Sequence, residues 1–248
     1  MAGQEGGALM QVVVLAGGLG TRLRGVIPDG TPKPMATVAG RPFLEWVLDD
    51  CLRAGATDFV LLVGHRADVI RDHFGSTYSG VPIRYATEAA PSGTGGAVRD
   101  ALPLLEDRFV VMNGDTFVGA PLRDLVGALD DAEFAMALAS VPDVGRFGGV
   151  AIEHGRVTAL REKGPSGPGM INAGVYAMRR RFVESFPADS FLSFERDVME
   201  PRVPELRPPF TACFGTFFDI GVPDDLRAAD AWFRSGDGAR RVVTTTDD

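Results

Sequence analysis

MQVVVLAGGLGTRLRG, residues 10–25, is an apolar run that passes without a break into a glycine-rich loop. Val12, Val13, Val14, Leu15 and Ala16 show no polar alternation, which is the pattern of a strand buried on both faces of a parallel sheet. The loop leaves that strand at the edge where α/β sheets receive ligands. Its small residues let backbone N–H groups converge on an anion.

The rhythm continues outward from this stretch. RPFLEWVLDDCLRAG places Phe43, Leu44, Val47, Leu48, Cys51 and Leu52 at helical spacing and stops at Gly55. DFVLLVG, IRYATE and RFVVMNGD give three further strands, the last ending on Asp115, and RADVIRDHFG and TGGAVRDALPLL supply the helices between them. From EFAMALASV onward strands follow one another through tight turns. GGVAIE and RVTALREK flank His154-Gly155, a two-residue hairpin signal, and INAGVYAM follows the loop GPSGPG. PLRDLVGALDD and VPDDLRAADAWFRSG are helical. The expected fold is α/β, with a mixed sheet that is parallel first and antiparallel later. Neither a repeat nor a linker divides residues 1–248, so one domain is expected, with 1–9 and 235–248 flexible.

A chain of 248 residues, 45% hydrophobic and 23% charged, can bury a sizeable core. No apolar run reaches the length of a membrane span, and MAGQEGGALMQ lacks the features of a signal peptide, so a cytoplasmic protein without membrane contact is expected. A formal charge of −8 argues against nucleic acid as a partner, because phosphate neutralisation needs clustered cations. Any phosphate must meet a local site; a homo-oligomer stays open. Cys51 and Cys213 are too few for a disulfide framework or structural zinc and read as packed thiols. His65, His73 and His154 form no metal-ligand spacing.

Of the 25 cations only Lys33 and Lys163 are lysines. Lysine is a compact point charge and arginine a planar fork, so a site that aims one ammonium at one oxygen resists replacement. Lys33 also stands between Pro32 and Pro34, which restrict the backbone on both sides. The loop itself is no dinucleotide fingerprint, since Leu23 stands where the third glycine belongs, and no Gly-Lys-Ser/Thr follows to make a Walker loop. What it carries is Arg22, two residues past Gly20 and placed to meet a polyphosphate.

LAGGLGTRL at 15–23 and PKPM at 32–35 together resemble the signature of the sugar-1-phosphate nucleotidyltransferases. The likeness extends through NGDT at 113–116, REKG at 161–164, INAGVY at 171–176 and FDIGVPDD at 218–225. It implies the Rossmann-like three-layer nucleotide-diphospho-sugar transferase fold. It also implies a Mg²⁺-dependent attack of a sugar 1-phosphate on an NTP, releasing pyrophosphate. The resemblance makes Arg22, Lys33 and Lys163 the catalytic cations and Asp115 and Asp219 the metal ligands. Nucleotide contacts would come from Leu15, Ala16, Gly17, Gly18, Gly20, Thr21 and Arg22, then from Gly93, Thr94, Asn113 and Gly114. Gly148, Glu162, Lys163, Asn172 and Gly174 would hold the sugar phosphate. ATEAAPSGTGGAV and REKGPSGPGMINAGVY look most like D-glycero-D-manno-heptose 1-phosphate guanylyltransferases, with mannose 1-phosphate guanylyltransferases next. The β-helix domain that some relatives carry after FDIG is expected to be absent.

Alternatives stay open at particular residues. Asp219 also reads as a helix N-cap or a buried salt-bridge partner, since VPDD opens a helix just beyond it, and Asn172 as a turn cap. Glu162 and Lys163 are adjacent on a strand, and alternation alone would place them on opposite faces. Glu88 has the chemistry to accept guanine N1–H and N2–H₂ together, or it is a solvated loop acid. The rivals in function are another base (ATP, UTP or dTTP), a non-catalytic nucleotide-sugar sensor on the same fold, and a glycosyltransferase. The last lacks its Asp-x-Asp motif, because Asp115 is followed by Thr116 and Phe117.

Overall fold

Val12, Val13 and Val14 are fully buried in β1 (Gln11–Leu15), with Val12 and Val14 facing one hydrophobic layer and Val13 the other. The computed structural model describes residues 10–18, 20–88, 90–161, 166–188 and 191–236. Further strands are β2 (Asp58–Val63), β3 (Thr77–Tyr78), β4 (Val81–Thr87), β5 (Arg108–Asn113), β6 (Phe134–Val141), β7 (Gly169–Arg179) and β8 (Phe210–Cys213). They form one sheet in the order β8-β6-β7-β5-β1-β2-β4-β3. β1 is parallel to both β2 and β5, with Val13 opposite Val60 and Val111. β7 runs antiparallel to β5 and β6. The mixed sheet expected from the sequence is therefore present.

Helices cover both faces. On one side α1 (Phe43–Arg53), α2 (Ala67–Phe74), α4 (Leu122–Gly127) and α7 (Pro223–Arg234) bury Phe43, Ile70, Leu125 and Phe233. On the other, α3 (Gly93–Asp100), α5 (Arg180–Glu184) and α6 (Glu200–Leu206) bury Val98, Phe182 and Val203. Burial on both faces is why the strands near β1 read as continuous apolar runs. Three layers result, with a mixed sheet between two sets of helices, the layering that the resemblance implies.

The hairpin signal holds: Val150–Glu153 pairs with Arg156–Leu160 across His154 and Gly155, both at positive φ (51° and 72°). Two local expectations need correction. β5 ends at Asn113, so Asp115 lies in the turn beyond the strand, where the Gly114 N–H reaches across to Leu15 O. α3 stops at Asp100 and a 3₁₀ turn, Leu102–Leu104, follows, because Pro103 interrupts the helical bonding. α7 is capped by Val222, three residues past Asp219, and Ser235 closes its far end with a hydroxyl that donates to Trp232 O at 2.7 Å. Of the ends expected to be flexible, 1–9 and 237–248 lie outside the described residues.

Candidate active site

A two-residue ribbon joins the two acids of the site. Thr116–Phe117 pairs antiparallel with Phe218–Asp219, which sets Asp219 opposite Thr116 and beside Asp115. Ile220 N donates to Asp115 O at 3.1 Å. Rings of α7 hold the ribbon in place, with Phe117 5.0 Å from Phe233 and Phe218 5.4 Å from Trp232 between centroids.

Lys33 opens a 3₁₀ turn, Lys33–Met35, with Pro32 at its cap. Although only 8% exposed, it carries its ammonium to both acids, with Nζ 2.5 Å from Asp115 Oδ2 and 3.3 Å from Asp219 Oδ1. The capping alternative for Asp219 falls, since Val222 occupies that position, and the salt-bridge alternative is present. Two carboxylates aimed at one positive centre are also the donor set that Mg²⁺ takes, since it uses one or two carboxylates and fills its shell with phosphates and water. Among the described residues no group of three or more His, Cys, Asp or Glu converges as a metal site.

Two cavities meet at this cluster. One, of about 650 Å³, is lined by Leu15, Gly17, Gly18, Gly93 and Thr94 and reaches Lys33 and Asp115. The other, of about 640 Å³, is lined by Gly148, Asn172 and Gly174 and reaches Asp219. Asn113 lines both. Arg22 lines the second cavity and not the glycine loop's own. Ala16, Gly20, Thr21 and Gly114 line neither. The N–H groups of Ala16 and Gly114 are spent inside the fold, donating to Leu62 O (2.8 Å) and Leu15 O (2.9 Å), so they are not free for a phosphate. Glu162 and Lys163 lie outside the described residues.

Glu88 is fixed in the first cavity. Ser92 donates to its Oε1 from N (3.0 Å) and Oγ (2.9 Å), and a Cβ on Gly17 would stand 3.1 Å from Oε2. It is therefore an oriented acid, not a freely solvated one. In the second cavity Gly174 sits at φ 68°, in the bulge where the pairing of β7 with β6 shifts, and its N–H donates to Asn172 Oδ1 at 3.1 Å.

The sequence reading missed Glu195, which enters the second cavity from the π-helical turn Phe194–Met199. Asn172 Nδ2 donates to Glu195 Oε1 (3.1 Å) and to the hydroxyl of the buried Tyr176 (2.7 Å). The Glu195 carboxyl opens to the cavity yet has protein on most sides. That enclosure, then the charges of Glu200, Asp219 and Asp115, raises its pKa above the usual glutamate range. The folded chain thus holds this proton to higher pH than the unfolded chain. The associated stability is present below the unfolded pKa and is lost as pH rises through the folded one. Glu195→Gln should therefore gain in melting temperature relative to the parent as pH is raised from about 4 to 7. A difference that stays constant across that range would show that Glu195 titrates normally.

Burial raises both thiols, Cys213 to about 11, so they are packed groups as expected, not nucleophiles. No described helix is long and apolar enough to cross a membrane.

The sequence model of the nucleotidyl transferase family matches residues 11–234. A D-glycero-alpha-D-manno-heptose 1-phosphate guanylyltransferase of Campylobacter jejuni is 34% identical over 87% of this chain and 96% of its own length. Its counterpart from Aneurinibacillus thermoaerophilus is 34% identical over 89% and 96%. Among solved structures, HddC from Yersinia pseudotuberculosis complexed with GMP-PN superposes with a TM-score of 0.79 at 34% identity, covering 91% of this chain and all of that one. A match that runs from β1 through α7 takes in both cavities and the acids between them, and the chain belongs to the nucleotidyl transferase family.

Proposed function

We propose that this chain joins a sugar 1-phosphate of the heptose or mannose type to an NTP, with GTP preferred. An oxygen of the sugar phosphate attacks the α-phosphorus, the bond from that phosphorus to the oxygen bridging it to the β-phosphate breaks, and pyrophosphate leaves with a nucleotide-sugar as the product. The observation that carries this reading is the pair of cavities meeting at Asp115, Lys33 and Asp219. Two substrates seated in them would bring their phosphates to one charged junction, where positioning and charge neutralisation do most of the work.

The glycine loop and Glu88 would take the nucleotide, with Asn172, Gly174, Gly148 and Glu195 facing the sugar. Lys33 and Arg22 would offset charge on the triphosphate, and by family resemblance Lys163 would orient the attacking phosphate beside Glu162. Asp115 and Asp219 would hold Mg²⁺, which when bound supplies charge stabilisation to the transferring phosphoryl group. No general base is needed, because a sugar phosphate is ionised at neutral pH. The cytoplasm, where nucleoside triphosphates are made, is the compartment this reading implies.

The heptose guanylyltransferase relatives and the GMP-PN complex support the guanine preference. So does Glu88, because an ionised carboxylate accepts from guanine N1–H and N2–H₂ and repels the N1 acceptor of adenine. Glu88→Gln should erode the preference for GTP over ATP by about 1–3 kcal/mol, the cost of leaving one donor of the base without its acceptor. Pyrophosphate release measured over a matrix of NTPs and sugar 1-phosphates tests both the reaction and the base. Equal hydrolysis of NTP without any sugar phosphate would exclude the transferase reading.

A further inference from the structure

Phe191 is 62% exposed and lines the same cavity as Glu88, Ala90 and Pro91. Single exposed apolar residues are ordinary on a surface. The chain immediately after this one is held by hydrogen bonds. Leu192 N donates to Ser92 O at 2.8 Å, Gly95 N donates back to Leu192 O at 2.8 Å, and Phe194 N donates to Thr94 Oγ1 at 2.9 Å. The clasp is close enough that a Cβ on Gly93 would stand 2.5 Å from Leu192 O. Ser92 is also the residue that orients Glu88, so Phe191 and Glu88 are referenced to the same short piece of chain.

The geometry points to Phe191 as the aromatic wall for the nucleobase, a specificity-determining residue that selects purine over pyrimidine. This inference rests on the reading that the nucleotide occupies this cavity. A flat π face rewards a large flat heterocycle by stacking whatever its hydrogen-bond pattern, whereas a carboxylate reads only the edge. Phe191 then discriminates by ring size, and Glu88 discriminates guanine from adenine. The two tasks are separable by substitution.

Calorimetric titration of GTP, ATP and UTP, into the parent chain and into Phe191→Ala, Phe191→Leu, Phe191→Tyr and Glu88→Gln, tests the division. Phe191→Ala should weaken GTP and ATP roughly 5- to 100-fold, with a smaller loss for UTP. Phe191→Leu, which keeps an apolar side chain without a ring, should lose most of the same affinity, and Phe191→Tyr should retain it. The KM for the sugar phosphate should not move. If Phe191→Ala leaves GTP binding unchanged, or weakens all three nucleotides equally, while Glu88→Gln weakens GTP, the inference fails and the base pocket stands. If neither substitution affects GTP, the base lies elsewhere and both readings fall.

Discussion

Asp115→Asn and Asp219→Asn should each lower the rate of pyrophosphate release by about a hundredfold or more, the scale expected when a charged ligand of a phosphoryl-transfer metal becomes neutral. Asparagine keeps the size of the side chain, and the backbone pairing of Asp219 with Thr116 does not depend on the carboxylate. α7 is capped by Val222, so a loss in Asp219→Asn cannot be ascribed to a removed helix cap. Each substitution does take one partner from Lys33, and melting curves should accompany the kinetics. Because both acids are partly exposed, that cost to stability should stay at about 1 kcal/mol. EDTA should abolish turnover of the parent chain, and excess Mg²⁺ should restore it. An Asp219→Asn variant with near-parental activity would reduce Asp219 to a counter-ion of Lys33.

The sequence exposes the parts of this molecule whose physics is local. Strands buried on both faces announce themselves as apolar runs, and His154-Gly155 announces a turn, because a few neighbouring residues determine each outcome. The motifs NGDT and FDIGVPDD likewise mark Asp115 and Asp219 through the family resemblance, without any knowledge of the fold. Their shared partner is another matter, since Lys33 lies 82 and 186 residues away from them along the chain. Glu195 is hidden because its π-helical turn has neither a strand nor an α-helical period, and α6 follows it with Pro201 and Pro204 in a stretch that reads as loop. That Arg22 lines the second cavity also depends on where that cavity forms, which no spacing near residue 22 encodes.

Lys33→Met and Lys33→Arg should separate the charge of this lysine from its shape. Its ammonium is seated between two carboxylates, and its stem is enclosed, with the Cβ position of Gly20 only 3.2 Å from Lys33 Cβ. Arginine keeps the charge but brings a longer planar group into that space, so Lys33→Arg should lose at least about tenfold in rate, more than a surface exchange would cause. Methionine fills a similar volume without charge and leaves Asp115 and Asp219 facing one another with no cation between them. Their repulsion should lower the melting temperature in the absence of metal. Added Mg²⁺ should then raise it by more than in the parent, where Lys33 already supplies a positive charge at the same place. Equal Mg²⁺-induced shifts in the two proteins would mean that the ammonium and the metal do not share these carboxylates, and Lys33 would have to act on the triphosphate alone.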